Sequence, residues 1–133
     1  MFSLLLILLI PAFTALLTPS REAIIENWVK LVDPYESVCA CESGAILADI
    51  NKLWVDYRYP SNKPCLNCYL SCIYKKMGVV DYNNNVIKSV YIELVLGTTE
   101  VMFNKCESMA TNVTDMCKKF YEFDRCISKE MGL

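Results

Sequence analysis

Three cysteines fall within the eight residues of the segment CLNCYLSC, at Cys65, Cys68 and Cys72. Thiols at such close spacing serve as zinc ligands, as a redox pair or as disulfide anchors. The chain has eight cysteines in all, at positions 39, 41, 65, 68, 72, 106, 117 and 126. Zinc is disfavoured because there is no histidine and no second C-x-x-C spacing, and a redox C-x-x-C motif belongs in a βαβ setting that the sequence does not show. The cysteines are therefore predicted to form disulfides.

The absence of histidine also limits the chemistry that this chain can catalyse. Nucleophiles of the Ser-His and Cys-His types are excluded, and so is the histidine-dependent chemistry of small secreted phospholipases. Among the acids Glu93 is the strongest candidate for burial, but it has no second acid at i+3 or i+4, so a surface or helix-edge position is favoured for it. There is no glycine-rich phosphate loop. We predict a protein that is not an enzyme and that uses no metal or cofactor.

Charge and the amino-terminal sequence indicate the compartment. The net charge is -2 and the charges are interspersed, so no basic stripe favours a nucleic-acid partner. Residues 2–10 read FSLLLILLI and are followed by small and polar residues up to Arg21, which is typical of a signal peptide. We predict a signal peptide over residues 1–20, cleaved between positions 15 and 20, and one extracellular domain over residues 21–133 without stable membrane insertion. An uncleaved anchor is the alternative.

The spacing of apolar residues is helical almost throughout, which predicts an all-α fold without strands. The predicted helices run from Thr18 or Ser20 to Asp33-Pro34, from Ala45 to Trp54, from Pro64 to Gly78, from Asn85 to Gly97, from Thr98 or Thr99 to a break at 112–115, and from there through Cys126. The helix from Asn85 is apolar nearly all round and is expected to be mostly buried. On the third helix Cys68 and Cys72 lie one turn apart, so each is better placed to bridge to a different neighbouring helix than to the other.

The order and spacing of six cysteines, 41, 68, 72, 106, 117 and 126, resembles that of the insect odorant-binding proteins, the pheromone- and general-odorant-binding family. The flanking segments CYLSCIYKKMGVVD and CKKFYEFDRCI are similar to the third and last helices of that family. The resemblance implies a compact, disulfide-linked bundle of about six helices around an internal apolar cavity. It also implies the bridges Cys41–Cys72, Cys68–Cys117 and Cys106–Cys126. The additional cysteines, Cys39 and Cys65, are predicted to pair with each other, and an exchange between Cys39 and Cys41 stays open.

The function that the resemblance implies is a secreted carrier that binds small hydrophobic odorants, tastants or pheromones and delivers them to chemosensory receptors, in sensillar lymph or a similar fluid. One alternative is a scavenger of small amines or lipids, which a cavity-facing Glu93 would favour. Another is an extracellular helical signalling or interaction protein with a filled core. The oligomeric state stays open.

Large apolar residues at helical spacing supply the expected lining of the cavity, although core packing is the alternative for each of them. The ligand-binding candidates are Trp28, Leu53, Trp54, Met77, Val90, Tyr91, Leu94, Met102, Met109, Phe120 and Phe123. Tyr91 is the candidate hydrogen-bond anchor, unless its hydroxyl reaches the surface. Asn112-Val113-Thr114 is an acceptor sequence for N-glycosylation and lies at a predicted helix break.

Overall fold

The computed structural model describes residues 18–133, which form seven α-helices and one 3-10 turn. The helices are α1 Arg21–Val32, α2 Glu36–Ser43, α3 Leu47–Trp54, α4 Pro64–Lys76, α5 Lys88–Leu94, α6 Glu100–Ala110 and α7 Met116–Glu130, and the 3-10 turn at Asp33–Tyr35 joins α1 to α2. In this part of the chain β-structure is limited to an isolated bridge between Val80 and Val86. The predicted all-α fold is confirmed.

Polar residues set the starts of three helices. Ser20, Thr99 and Asp115 each precede a helix, and each side-chain oxygen accepts a hydrogen bond from the backbone N–H three residues later. This capping satisfies one of the N–H groups that the first turn of a helix leaves without a partner. Ser20 and Thr99 are among the caps that the sequence predicts.

Two helices differ from the expectation. After α1 ends at Val32, as Pro34 predicts, the chain continues through the 3-10 turn into α2, which the sequence analysis did not predict. Helix α5 begins at Lys88 rather than Asn85, because the preceding residues form a turn in which Asp81 Oδ1 accepts from the N–H of Asn85. The helix is less buried than expected, because Tyr91 is its one fully buried residue while Ser89 and Glu93 are exposed.

Helix α4 lies at the centre of the packing, against α2 on one side and α7 on another. Its side chains Leu66, Tyr69, Leu70, Ile73 and Tyr74 are at most 1% exposed. Their sequence spacing of three and four residues places them on one wide face. This face carries much of the apolar burial that stabilises the domain.

Three disulfides join the helices. Cys68–Cys117 links α4 to α7 and Cys106–Cys126 links α6 to α7, in the order that the family resemblance implies. The third bridge is Cys39–Cys72, so the predictions Cys41–Cys72 and Cys39–Cys65 are wrong. The reason is helical geometry: Cys39 is fully buried on the side of α2 that faces α4, whereas Cys41 lies two residues, or about 200°, further around the helix and is exposed.

Cys41 and Cys65 are free, exposed thiols in this structure. Cys65 lies in the first turn of α4, where its Sγ is 3.9 Å from the position that a Cβ on Gly44 would occupy. Gly44, which follows α2, is therefore close to Cys65 of α4. The zinc alternative would have needed thiolates from Cys39 and Cys68, both of which are in disulfides.

Residues 1–17, which carry most of the predicted signal peptide, lie outside the described residues. Among the helices from Arg21 onward, none combines the length and the apolar character needed to cross a bilayer.

Removing the α4–α7 bridge should destabilise the protein strongly. In the double variant Cys68→Ala with Cys117→Ala, the unfolded chain regains the freedom of a loop of 49 residues, and we expect the free energy of unfolding to fall by about 4 kcal/mol. Chemical denaturation followed by circular dichroism measures this change. The matched control is Cys41→Ser with Cys65→Ser, which should stay within about 0.5 kcal/mol of the wild type. An equal loss in the control would contradict the disulfide assignment.

Candidate functional site

A concave surface lies where α6 and α7 meet the turn that follows α4. This phenylalanine cleft has a volume of about 440 Å³ and is lined by Asn85, Val86, Glu107, Ala110, Thr111, Lys119, Phe120 and Phe123. Phe120, Phe123 and Ala110 are buried at its floor, while Glu107 and Thr111 are exposed at its edge. The cleft therefore combines an apolar floor with a polar rim.

The floor of the cleft is held in place by a cluster of aromatic rings. The ring centroid of Phe123 lies 5.2 Å from that of Tyr91 and 5.3 Å from that of Phe103, both in edge-to-face geometry. Tyr74 stacks obliquely on Phe120 with centroids 5.7 Å apart. Such contacts add to the burial energy and fix ring orientation. The two phenylalanines thus present a rigid surface to the cleft.

A carboxylate lies behind this aromatic cluster. Asp124 is completely buried, and its Oδ1 accepts from the Tyr74 hydroxyl at 2.7 Å while its Oδ2 accepts from the Tyr59 hydroxyl at 2.6 Å. The hydroxyls of Ser128 and Tyr59 are 2.6 Å apart, and those of Tyr91 and Tyr74 are 3.2 Å apart. The hydroxyl protons of Tyr59 and Tyr74 are directed to the carboxylate. In the two outer contacts Ser128 therefore donates to the Tyr59 oxygen, and Tyr91 donates to the Tyr74 oxygen. We call this arrangement the Asp124 cluster.

Burial raises the pKa of Asp124 to about 6, and the hydrogen bonds from Tyr59 and Tyr74 oppose that rise. Within residues 18–133 Asp124 takes part in no ion pair, so hydroxyl donors are its stabilising contacts. Burial also raises the pKa values of Tyr74 and Tyr91 well above their usual value, which keeps both phenols protonated as donors. The cluster is a hydrogen-bonded acid inside the core.

A second, smaller concavity separates α1 from α3. This tryptophan groove has a volume of about 210 Å³ and is lined by Trp28, Val29, Val32, Asp33, Glu36, Asn51, Trp54, Val55 and Tyr57. The ring centroids of Trp28 and Trp54 are 5.8 Å apart. The groove shares no residue with the phenylalanine cleft.

The predicted ligand-binding residues are distributed among these features. Phe120 and Phe123 line the cleft, and Trp28 and Trp54 line the groove. Leu53 and Tyr91 are fully buried, and the Tyr91 hydroxyl is bonded to Tyr74. Four further candidates are partly buried and pack against the core, namely Met77, Val90, Leu94 and Met102.

Met109 is a ligand-binding candidate that does not lie where it was expected. Met109 is 61% exposed and lines neither concavity, so it does not lie at an internal site. Glu93 is exposed, as the favoured surface position predicts, so it does not supply the cavity-facing acid that an amine scavenger would need. Among residues 18–133 the completely buried acid is Asp124, on the last helix, whereas Asp49 is 6% exposed and pairs with Lys52 and Lys63.

Sequence reasoning missed Asp124 although a signal for it exists. On α7 the residues Phe120, Phe123, Asp124, Ile127 and Ser128 follow the spacing i, i+3, i+4, i+7, i+8. That spacing defines one helix face, and the apolar members predict that the face is buried. An acid in the middle of such a face must find hydrogen-bond donors in the core.

Comparison with known proteins gives one match. The model of the PBP/GOBP family matches residues 23–130, which is most of the chain and all seven helices apart from the first two residues of α1. No curated protein and no solved structure matches the chain.

The Asp124 cluster should make stability depend on pH. The pKa of Asp124 is about 6 in the folded protein against 3.8 for an unperturbed aspartate, so its stabilising contribution is complete below about 3.8 and is lost as pH rises through 6. Between pH 3 and pH 7.5 the wild type should therefore lose about 3 kcal/mol of unfolding free energy relative to Asp124→Asn, which does not titrate. Urea unfolding at a series of pH values measures the difference. The exposed Asp56→Asn should keep the wild-type profile, and parallel profiles for wild type and Asp124→Asn would contradict the assignment.

Proposed function

Because the chain belongs to the PBP/GOBP family, whose members are secreted proteins that bind small hydrophobic molecules, we propose that it carries such molecules and does not transform them. Its ligands are odorants, tastants or pheromones, and it delivers them to chemosensory receptors. The fluid around chemosensory neurons is the proposed location.

The observation that carries this proposal is the phenylalanine cleft. Its volume of about 440 Å³ lies within the range of roughly 300–1,000 Å³ that is usual for small-molecule sites. Its floor is apolar and is held rigid by the aromatic cluster, so little ordering accompanies binding. A compact apolar ligand gains contact with Phe120, Phe123 and Ala110 as it leaves water.

The rim of the cleft sets how the ligand is oriented. Glu107 and Lys119 supply charges of both signs, and Lys119 Nζ donates to Asn85 Oδ1 at 3.1 Å. A ligand with an apolar body and one polar group can place that group among these side chains while its body contacts the floor. Because the rim is open to water, capture and release proceed without opening the core.

The amine-scavenger alternative is disfavoured by the placement of the acids. Glu93 is exposed, and both oxygens of the buried Asp124 already accept from tyrosine hydroxyls. An ammonium group would have to displace those donors and to be desolvated inside the aromatic core, which is costly. The acid of the aromatic core therefore offers an amine no free partner.

The glycosylation acceptor Asn112 is exposed and directly follows Thr111 at the edge of the cleft. We propose that an N-linked glycan at Asn112 stands beside the mouth of the cleft, where it leaves the apolar floor accessible.

Narrowing the cleft at its rim should weaken ligand binding without unfolding the protein. Thr111→Tyr places a bulky side chain at the exposed rim, and we expect the affinity for a fluorescent apolar probe such as N-phenyl-1-naphthylamine to fall at least tenfold, about 1.4 kcal/mol. Ser108→Tyr is the matched control, since Ser108 is exposed on the same helix but lies outside the cleft. Probe titration and displacement measure both. The proposal for this site is wrong if the probe binds wild type and Thr111→Tyr equally, and the signalling-protein alternative gains support if no saturable binding occurs.

A further inference from the structure

Lys119 is the one partly buried lysine in the described part of the chain that has no acidic partner. Within residues 18–133 the lysines that form no ion pair are Lys75, Lys118, Lys119 and Lys129. The other three are exposed to water, whereas Lys119 is half-buried and lines the phenylalanine cleft. A cation that has lost part of its hydration is stabilised by a nearby negative charge. An anion bound in the cleft would supply that charge.

The ammonium group of Lys119 has hydrogen-bond donors to spare. Its Nζ donates to Asn85 Oδ1 at 3.1 Å, and this contact is exposed to solvent. A lysine ammonium carries three N–H donors, so two are available to a ligand. Both residues line the cleft, Lys119 from α7 and Asn85 from the turn before α5. The hydrogen bond that joins them therefore lies at the wall of the cleft, where a bound molecule can reach it.

Asn85 places a second donor beside the ammonium group. Asp81 Oδ1 accepts from the Asn85 N–H and the Asp81 N–H donates to the Asn85 carbonyl, both at 2.9 Å, so the turn holds Asn85 in position. Because Oδ1 of Asn85 accepts from Lys119, the Nδ2 group on the same amide carbon remains a donor. A carboxylate offers two acceptor oxygens and can therefore meet both residues at once.

The acids near the cleft do not neutralise Lys119. Glu107 lines the cleft from α6, but its side chain is exposed and forms no ion pair with Lys119, so its charge is screened by water and salt. Asp81 Oδ1 is occupied, since it accepts from the backbone N–H groups of Asn83 and Asn85. The charge that Lys119 favours in a ligand is therefore negative.

We propose that the phenylalanine cleft prefers medium-chain carboxylic acids, whose ionised head group binds Lys119 and Asn85 while the hydrocarbon chain covers Phe120 and Phe123. This preference rests on the proposed carrier function and specifies the polar group of the ligand. The acid is negative at neutral pH, and its hydrogen bonds to an ammonium group are charge-assisted, hence stronger than those of an alcohol. An alkylamine would bring a second positive charge to Lys119 and is disfavoured.

Three ligands with the same hydrocarbon chain test the preference. At neutral pH octanoate is an anion, octanol is neutral and octylammonium is a cation. Isothermal titration calorimetry should show that octanoate binds the wild-type protein at least threefold more tightly than octanol, and that octylammonium binds more weakly than octanol. Octanoate should also displace N-phenyl-1-naphthylamine, and Thr111→Tyr should weaken octanoate binding as it weakens probe binding, which locates the acid in this cleft.

Substitution of Lys119 tests which residue holds the carboxylate. Lys119→Met keeps the apolar stem and removes the charge, so the affinity for octanoate divided by that for octanol should fall at least tenfold, because the carboxylate then leaves water without a partner. Lys118→Met is the matched control, since Lys118 is an exposed neighbour on α7 that does not line the cleft, and it should keep the ratio within twofold of the wild type. Lys119→Arg should retain the preference, because the charge and the donors remain.

Asn85→Asp tests the same site from the opposite wall. The new carboxylate pairs with Lys119 and repels the ligand, so the ratio of octanoate to octanol affinity should again fall at least tenfold. Asn83→Asp is the matched control, because Asn83 is exposed in the same turn and lies outside the cleft, and it should change the ratio less than threefold.

Failure of the carboxylate preference and failure of the carrier function give different results. The preference is overturned if octanoate binds no more tightly than octanol, if octylammonium matches octanoate, or if Lys118→Met changes the ratio as much as Lys119→Met does. Saturable binding of the probe and of octanol in any of these cases leaves the carrier function standing. If neither the probe nor any of the three ligands binds saturably, the cleft is not a ligand site and both proposals are wrong.

Discussion

Helix α4 is bound covalently to α2 through Cys72 and to α7 through Cys68, and the remaining structure is arranged around this constraint. The two cysteines are one helical turn apart, so their bridges leave α4 in different directions. A domain of this size buries limited apolar surface, and the bridges compensate by restricting the unfolded chain. Since α4 cannot slide along α7, its Tyr74 is held opposite Asp124.

The Asp124 cluster follows from that fixed alignment. A buried carboxylate without a basic partner is tolerated when several donors reach it, and the donors here come from α4 and from the loop after α3. A shift of α4 by one residue would move the Tyr74 hydroxyl away and leave the acid unsatisfied. The cluster thus selects one register of the two helices, in addition to any stability that it adds. It also fills the middle of the bundle with hydrogen-bonded polar groups.

Those two surfaces differ in chemistry because different elements form them. The phenylalanine cleft has a rigid aromatic floor and a rim with charges of both signs, so it accommodates varied polar groups. The charged lining residues of the tryptophan groove are both acids, Asp33 and Glu36.

The sequence predicts the helices whose apolar spacing is strong, such as α4 and α7, and the caps that precede α1 and α6. It does not predict α2, because the segment ESVCACES buries little beyond Cys39 and shows no clear apolar face. That omission also explains the wrong bridge. If the segment is treated as a loop, Cys39 and Cys41 are equivalent candidates for Cys72. Once it is a helix, residues two apart point in nearly opposite directions, so just one of them can face α4. Predicting the correct pairing therefore required recognising α2. This short helix is stabilised by tertiary packing and by a disulfide, and its own amino-acid composition gives little sign of it.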